Sequence, residues 1–196
     1  MLNFQWNDFF VRDYVVDKEM QEHLWERYQE QLSEGKFSRA SVTGKRRYSE
    51  VRFCDHAPIK HRMDGPLFDL SCELKDLAVE LCDNLPEDLW FAQYEFVKYE
   101  GNGQTFKPHR DDDVMSIGHN RILTSVTMVE RTDDMVGGHL HIWPTNIYEE
   151  MPNVQKYVID LEPWETVIFP ACFYHEASPV LEGRRTILIS WAQNGA

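Results

Sequence analysis

Residues 167–191 read VIFPACFYHEASPVLEGRRTILISW. Two runs of β-branched and aromatic residues, 167–169 and 186–191, flank a stretch broken by Pro170, Pro179 and Gly183. That is the pattern of short strands bounded by turns. It recurs upstream in LWFAQYEFVKY (89–99), RILTSVTMV (121–129), GGHLHIW (137–143) and KYVIDL (156–161), and it frames the two runs above as ETVIFP (165–170) and RRTILISWA (184–192). No helical periodicity separates these runs. Several short strands in succession favour an antiparallel sandwich or barrel over a parallel α/β sheet.

The chain before Pro86 reads differently. Asp17 is a candidate N-cap, and Met20, Leu24, Tyr28 and Leu32 follow at steps of four. A second amphipathic helix is expected over 66–85, opened by Pro66 and carrying Leu67, Leu70, Leu74, Leu77, Leu81 and Leu85 on one face. Such a stripe needs a partner surface, and a sheet is the obvious one. Between the helices, residues 36–65 hold eight Lys or Arg against three carboxylates. A solvated loop explains this, and so does a lid or groove wall that contacts an anionic or polar substrate. One domain is expected over 1–196, with 1–85 as helical and loop support and 86–196 as a β-core.

The formal net charge of -13 argues against a protein that grips nucleic acid non-specifically, because the phosphate backbone would repel it. Cys54, Cys72, Cys82 and Cys172 form no CxxC pair, and no signal peptide is expected. Free thiols in a reducing cytoplasm are expected. No apolar run approaches membrane-spanning length, so no membrane partner is expected.

FKPHRDDDV (106–114) carries the chemistry. Three successive aspartates after His109 are a poor choice for a helix or a strand. His109 and Asp111 are two apart, so at a strand end both side chains point the same way and can converge on one ion. His175, just beyond the strand that ends at Pro170, offers a third ligand. Two imidazoles and one carboxylate make the facial triad of non-haem Fe(II) oxygenases, which leaves coordination positions open. His139 and His141 are a rival pair at the same spacing, for which a zinc site is conceivable. Arg185, ten residues after His175, opens the last strand and could clamp a carboxylate bidentately; no such partner accompanies His139 and His141.

The chain resembles the prolyl 4-hydroxylase branch of the Fe(II)- and 2-oxoglutarate-dependent dioxygenases. YEGNGQTFKPHRD (99–111) is similar to that family's Tyr, Gly-rich turn, aromatic and His-x-Asp. GGHLHIWP (137–144) resembles its Gly-Gly strand, and 167–191 its His, Pro-Val, Gly-x-Arg and Trp run. The resemblance covers roughly 90–193 and implies a mainly β fold: a double-stranded β-helix (jelly-roll, cupin-like) with N-terminal helices packed on the major sheet. It implies His109, Asp111 and His175 as metal ligands, Arg185 on the distal carboxylate of 2-oxoglutarate, and Tyr99 lining the co-substrate pocket. Some relatives place the Arg one residue earlier, which makes Arg184 the alternative. Arg185 is preferred because Trp191 then lies at even spacing on the same strand face. Met128 stands where some relatives carry a Tyr, and Thr127 or Ser125 is the candidate substitute.

The implied activity is hydroxylation of an unactivated C–H, coupled to decarboxylation of 2-oxoglutarate to succinate. Fe(II), 2-oxoglutarate and O2 are the implied cofactor and co-substrates, with ascorbate a candidate reductant. The substrate expected is a prolyl residue in a peptide or protein, or a proline-like amino acid; the same chemistry on a small metabolite is the nearest alternative. Trp143, Trp164, Phe173 and Trp191 are candidates to frame it. Asp112 and Asp113 are expected to be solvated or to hydrogen-bond the following turn, and Arg110 to face away from the ligands. Ligation needs neutral imidazoles, so activity is expected to collapse at acid pH. A zinc hydrolase on the same ligands, a non-catalytic β-barrel binding module and a nucleic-acid demethylase are the competing classes.

Overall fold

The computed structural model of the protein describes residues 6–39, 52–59, 65–112 and 121–194. Helix α1 (Lys18–Ser33) starts where expected, because the Asp17 carboxylate accepts a hydrogen bond from the Met20 amide at 2.8 Å. It buries Met20, Leu24, Tyr28 and Gln31, while Leu32 is only partly covered. Helix α2 (Pro66–Ala78) opens on its proline and buries Leu67, Leu70, Leu74 and Leu77. It stops at Ala78, short of the expected 85. The amides of Glu80 and Leu81 bond back to the carbonyls of Leu77 and Ala78, and the Leu81 carbonyl is taken by the Asn7 amide. Leu81 and Leu85 still pack into the core, so the apolar stripe outlasts the helix.

Among the described residues the strands are β1 (Val11–Asp13), β2 (Ser38–Arg39), β3 (Arg52–Phe53), β4 (Asp55–Pro58), β5 (Leu89–Glu100), β6 (Gln104–His109), β7 (Arg121–Arg131), β8 (Val136–Gly137), β9 (Leu140–Trp143), β10 (Tyr157–Ile159), β11 (Thr166–Pro170), β12 (Tyr174–Glu182) and β13 (Arg184–Asn194). They form a major sheet in the order β1-β11-β7-β13-β5-β4-β2 and a minor sheet in the order β10-β9-β12-β6-β3, with β8 on β12. All these pairings are antiparallel.

The major sheet is covered on both faces. Phe91, Phe96, Leu123, Ile168 and Leu188 face α1 and α2 in one core cluster. Val97, Tyr99, Val126, Met128, Phe169 and Ile187 face the minor sheet in another. Burial on both faces is why β5, β7 and β13 carry apolar residues at adjacent positions rather than in strict alternation. Each fully buried Leu of the helices contributes about 1.5–3 kcal/mol. Helix propensity differs by only some tenths of a kcal/mol between ordinary residues, so packing on the sheet holds the helices. Two antiparallel sheets closed over one core are the expected jelly-roll, with the helices on the major sheet.

Where one GGHLHIW strand was expected there are two, β8 and β9. Gly137 and Gly138 have φ of 80° and 72°, and a Cβ on Gly137 would lie 2.2 Å from the Pro179 carbonyl oxygen. The pair therefore breaks the run. Part of the 36–65 stretch is also strand, in β2 to β4. Arg39 pairs with Asp55 there, and Arg52 with Glu95. Lys45, Arg46, Arg47, Lys60 and Arg62 lie outside the described residues.

Candidate metal centre and co-substrate pocket

His109 ends β6 and faces His175 of β12 directly across the antiparallel pair. The two rings stand 4.2 Å apart between centroids. Each imidazole directs Nδ1 at a backbone carbonyl, Lys107 at 2.8 Å and Phe173 at 3.0 Å. A carbonyl only accepts, so each Nδ1 carries the proton and each Nε2 keeps a lone pair. Asp111 completes the group: its Oδ1 is 3.7 Å from His109 Nε2 and its Oδ2 3.4 Å from His175 Nε2. Ligand atoms of the three residues all lie within 4.8 Å of one another. Among the described residues this is the one such cluster of three or more potential metal ligands.

The surroundings hold this arrangement. The Ala171 carbonyl accepts from the amides of Asp111 and Asp112 at 3.0 and 3.3 Å, tying the turn after β6 to the loop before β12. The hydroxyl of Thr124 and the indole N–H of Trp191 both donate to Asp111 Oδ2, at 2.7 and 2.8 Å. Phe106 stacks on the His109 ring at 3.4 Å and 17°, and the Arg52 guanidinium lies over Phe106.

Burial, then the neighbouring His175, pushes the His109 pKa down to about 3. Burial works against the Asp111 charge, but His175, His109 and Arg121 outweigh it and hold the carboxyl well below its usual value. The group thus presents two imidazole Nε2 atoms and one carboxylate, a donor set that suits Fe(II) when both rings are neutral.

Arg185 and Tyr99 are partners in register on β13 and β5, and both are almost fully buried. The guanidinium lies 5.0 Å over the Tyr99 ring, gives an N–H to the Gly138 carbonyl, and leaves Nε without a partner. Burial lowers its pKa below the usual arginine value. A buried cation with spare donors fits a carboxylate ligand. Arg184 points to the other face and pairs with Glu130 at 2.7 Å, beneath α1.

Residues 90–193, just over half of the chain, match the family model of the 2OG-Fe(II) oxygenase superfamily. The chain belongs to this superfamily. The oxygenase is similar to the crystal structure of a Pseudomonas putida prolyl-4-hydroxylase, with a TM-score of 0.72 at 16% identity over 96% of this chain and 94% of that one. A Trichoplax adhaerens prolyl hydroxylase in complex with a hypoxia inducible factor peptide fragment gives 0.70 at 16% identity, over 96% and 84%. The non-heme epimerase SnoN from nogalamycin biosynthesis gives 0.72 at 13% identity, over 95% and 78%. At such identities the likeness is one of fold. A search of curated proteins finds no match. Family and fold make the protein a 2-oxoglutarate-dependent dioxygenase, which works with Fe(II), 2-oxoglutarate and O2.

Other expected residues lie elsewhere in the oxygenase. Thr127 and Ser125 face the helix side of the major sheet, with their hydroxyls on Thr166 and Ser190. They do not reach the Arg185 side, because only every second residue of β7 does: Thr124, Val126 and Met128. Met128 accordingly shares the inner cluster with Tyr99. The rival histidines are separated, His141 bonded to Glu176 at 2.7 Å and His139 beside Asp160 at 3.4 Å. Of the four aromatics, Trp191 touches the triad, Phe173 packs against Phe9 beside it, Trp143 meets His141, and Trp164 lines a groove with Trp25. Arg110 turns to Asp112 at 3.1 Å and to Tyr174; Asp113 lies outside the described residues. No described helix is long and apolar enough to cross a membrane.

The sequence reading missed the supports. Thr124, the Ala171 carbonyl and Arg121 carried no motif. Strand parity was the available signal for Thr124, which stands four residues before Met128 and so on the same face.

Proposed function

We propose that the protein hydroxylates an unactivated C–H of a prolyl residue or a proline-like amino acid, with His109, Asp111 and His175 as Fe(II) ligands and Arg185 as the clamp for 2-oxoglutarate. The observation that carries this reading is a His-Asp-His cluster on the minor sheet together with a buried arginine, stacked on Tyr99, on the major sheet. The solved prolyl hydroxylases of similar fold support the substrate class, while the epimerase of equal likeness shows that fold does not fix it.

Bound Fe(II), with 2-oxoglutarate and O2, supplies the oxidising chemistry that ends in succinate, CO2 and a hydroxylated product. The chain's part is geometry and exclusion of water. His109 and His175 present Nε2 because their Nδ1 protons are committed to carbonyls. Thr124 and Trp191 fix the rotation of the Asp111 carboxylate. Arg185 holds the distal carboxylate of the co-substrate over Tyr99, in a wall of Val126, Met128 and Ile187 that keeps water out.

Anaerobic titration of Fe(II) with 2-oxoglutarate tests the assignment through the visible charge-transfer band of the chelate. The band is expected in the native protein, weakened in Arg185→Ala and retained in Arg184→Ala. No band in folded, metal-loaded protein overturns the proposal.

A further inference from the structure

Most arginines of the described residues pair with a carboxylate, Arg39, Arg110 and Arg131 among them, while Arg27 bonds His23. Arg12, Arg52 and Arg184 each hold a carboxylate, on Glu165, Glu95 and Glu130. Arg185 and Arg121 hold no carboxylate among the described residues and resemble one another, although an orphan Nε also occurs at Arg52 and Arg184, and a ring under the guanidinium at Arg52. Each has an Nε that is buried and without a hydrogen-bond partner. Each lies over an aromatic ring, Arg185 over Tyr99 and Arg121 over Trp191 at 3.7 Å. Each gives an N–H to a neutral oxygen, the Gly138 carbonyl in one case and the Gln93 amide, at 3.1 Å, in the other. In both, burial pushes the guanidinium pKa below its usual value, whereas Arg12, Arg52 and Arg184 shift upward.

Among the described residues, the carboxylates near Arg121 are committed. Asp111 and Glu95 act on it through space only. Asp111 belongs to the triad and takes Thr124 and Trp191. Glu95 takes Arg52 at 2.8 Å and His56 at 3.0 Å. Arg121 is thus a partly desolvated cation whose acceptor among the described residues is a neutral amide, and an amide dipole does not offset a full charge. Its planar fork of five donors matches a carboxylate.

The position suits a substrate. Arg121 starts β7, while Arg185 is in register with Arg131 at the far end of the same strand. The triad's support, Thr124, lies between them, and the ring under Arg121 is the one that bonds Asp111. Gln93, which aims Arg121, sits in β5 with a φ of 58° beside an irregularity in the pairing with β13. A non-glycine residue in that region persists only where its surroundings over-determine it.

We propose that Arg121 anchors the carboxylate of the substrate, which is then a free amino acid rather than a residue inside a peptide chain. The inference rests on the Fe(II)/2-oxoglutarate reading and deepens it.

Succinate formation by the Fe(II)-loaded protein tests it, with free amino acids, their carboxamides and proline peptides capped at both ends as probes. At least one free amino acid is expected to raise the rate, and its carboxamide to show a KM about 10- to 100-fold higher, the worth of a charge-assisted hydrogen bond. In Arg121→Gln the acid's KM should rise to that of the amide, and Arg121→Lys should keep part of the preference. Equal KM for acid and amide in the native protein overturns the anchor, and that comparison needs no variant. Stimulation by capped peptides alone, or by no free amino acid while substrate-free decarboxylation persists, overturns it too. Absence of any 2-oxoglutarate decarboxylation or chelate band would instead overturn the reading on which it rests.

Discussion

Thr124→Val is the sharpest probe of how the chain prepares its metal site. The substitution keeps the shape of the side chain and deletes the hydroxyl that donates to Asp111 Oδ2 at 2.7 Å. Trp191 still donates to the same oxygen at 2.8 Å, so the carboxylate keeps one of two supports. A hydrogen bond to a charged group contributes about 1.5–3 kcal/mol, and at about 1.4 kcal/mol per decade that bounds the effect near 10- to 100-fold. Loss of outer supports around metal ligands costs a similar range in affinity. Anaerobic competition titration with Mn(II) or Fe(II) against a chelator gives the dissociation constant directly. The expectation is at least tenfold weaker binding in Thr124→Val, with an unchanged far-ultraviolet spectrum. Thr124→Val combined with Trp191→Phe should lose more than the two singles together, because either donor alone still fixes the rotation. Unchanged or tighter metal binding in the single variant would refute the argument that these donors orient Asp111.

Three further outcomes follow from named contacts. In metal-free protein, nitrogen chemical shifts should report His109 as the neutral Nδ1–H form down to roughly pH 4, given a pKa near 3; protonation near the ordinary value of 6.5 would contradict the burial argument. Tyr28 has a pKa raised from 10.0 to about 12 by burial, so its contribution to stability is complete below pH 10 and lost as pH rises through 12. Tyr28→Phe should cost about 1–3 kcal/mol at neutral pH, from the bonds to Glu130 and Thr186, and should flatten the alkaline loss in denaturant titrations. Gly138→Ala and Gly35→Ala both force a positive φ and should each cost about 1–2 kcal/mol. Only at Gly138 does the new Cβ meet Val180 at 2.8 Å and Arg185 at 3.3 Å, so only that variant should raise the KM for 2-oxoglutarate.

The parts of the fold that were legible in the sequence are those buried most completely. β5, β7 and β13 lie between the helices and the minor sheet, so apolar residues occupy both faces and the runs declare themselves. The strands that carry ligands were harder to see. β6 and β12 belong to the minor sheet, with one face outward, and carry Pro108 and Pro179. The pairing of β12 with β6 slips at two places, between His175 and Ala177 and again before Val180. Proline and irregular register disguise a strand in the sequence. The same irregularity brings His175 opposite His109. The α2 stripe misled in the opposite way, because Leu81 lies in the turn that follows the helix and Leu85 beyond it, both still packed against the core.

Strand parity explains both what was legible in the site and what was not. Applied from Trp191, it chose Arg185 over Arg184: the former is buried over Tyr99 and the latter is paired with Glu130 beneath α1. Applied from Met128, the same rule turns Thr127 and Ser125 away from the pocket and turns Thr124 into it, where its hydroxyl meets Asp111. A strand covered on both faces serves two cores, and alternate residues answer to different neighbours. On β7, one set supports the metal ligands and the other bonds Thr166 and Ser190 under the helices. Arg121 escapes that rule because the β13–β7 register shifts between Ala192 and Gln193, next to its own position. A shift of register there lets a residue at the end of a covered strand lie over Trp191, the ring that bonds Asp111.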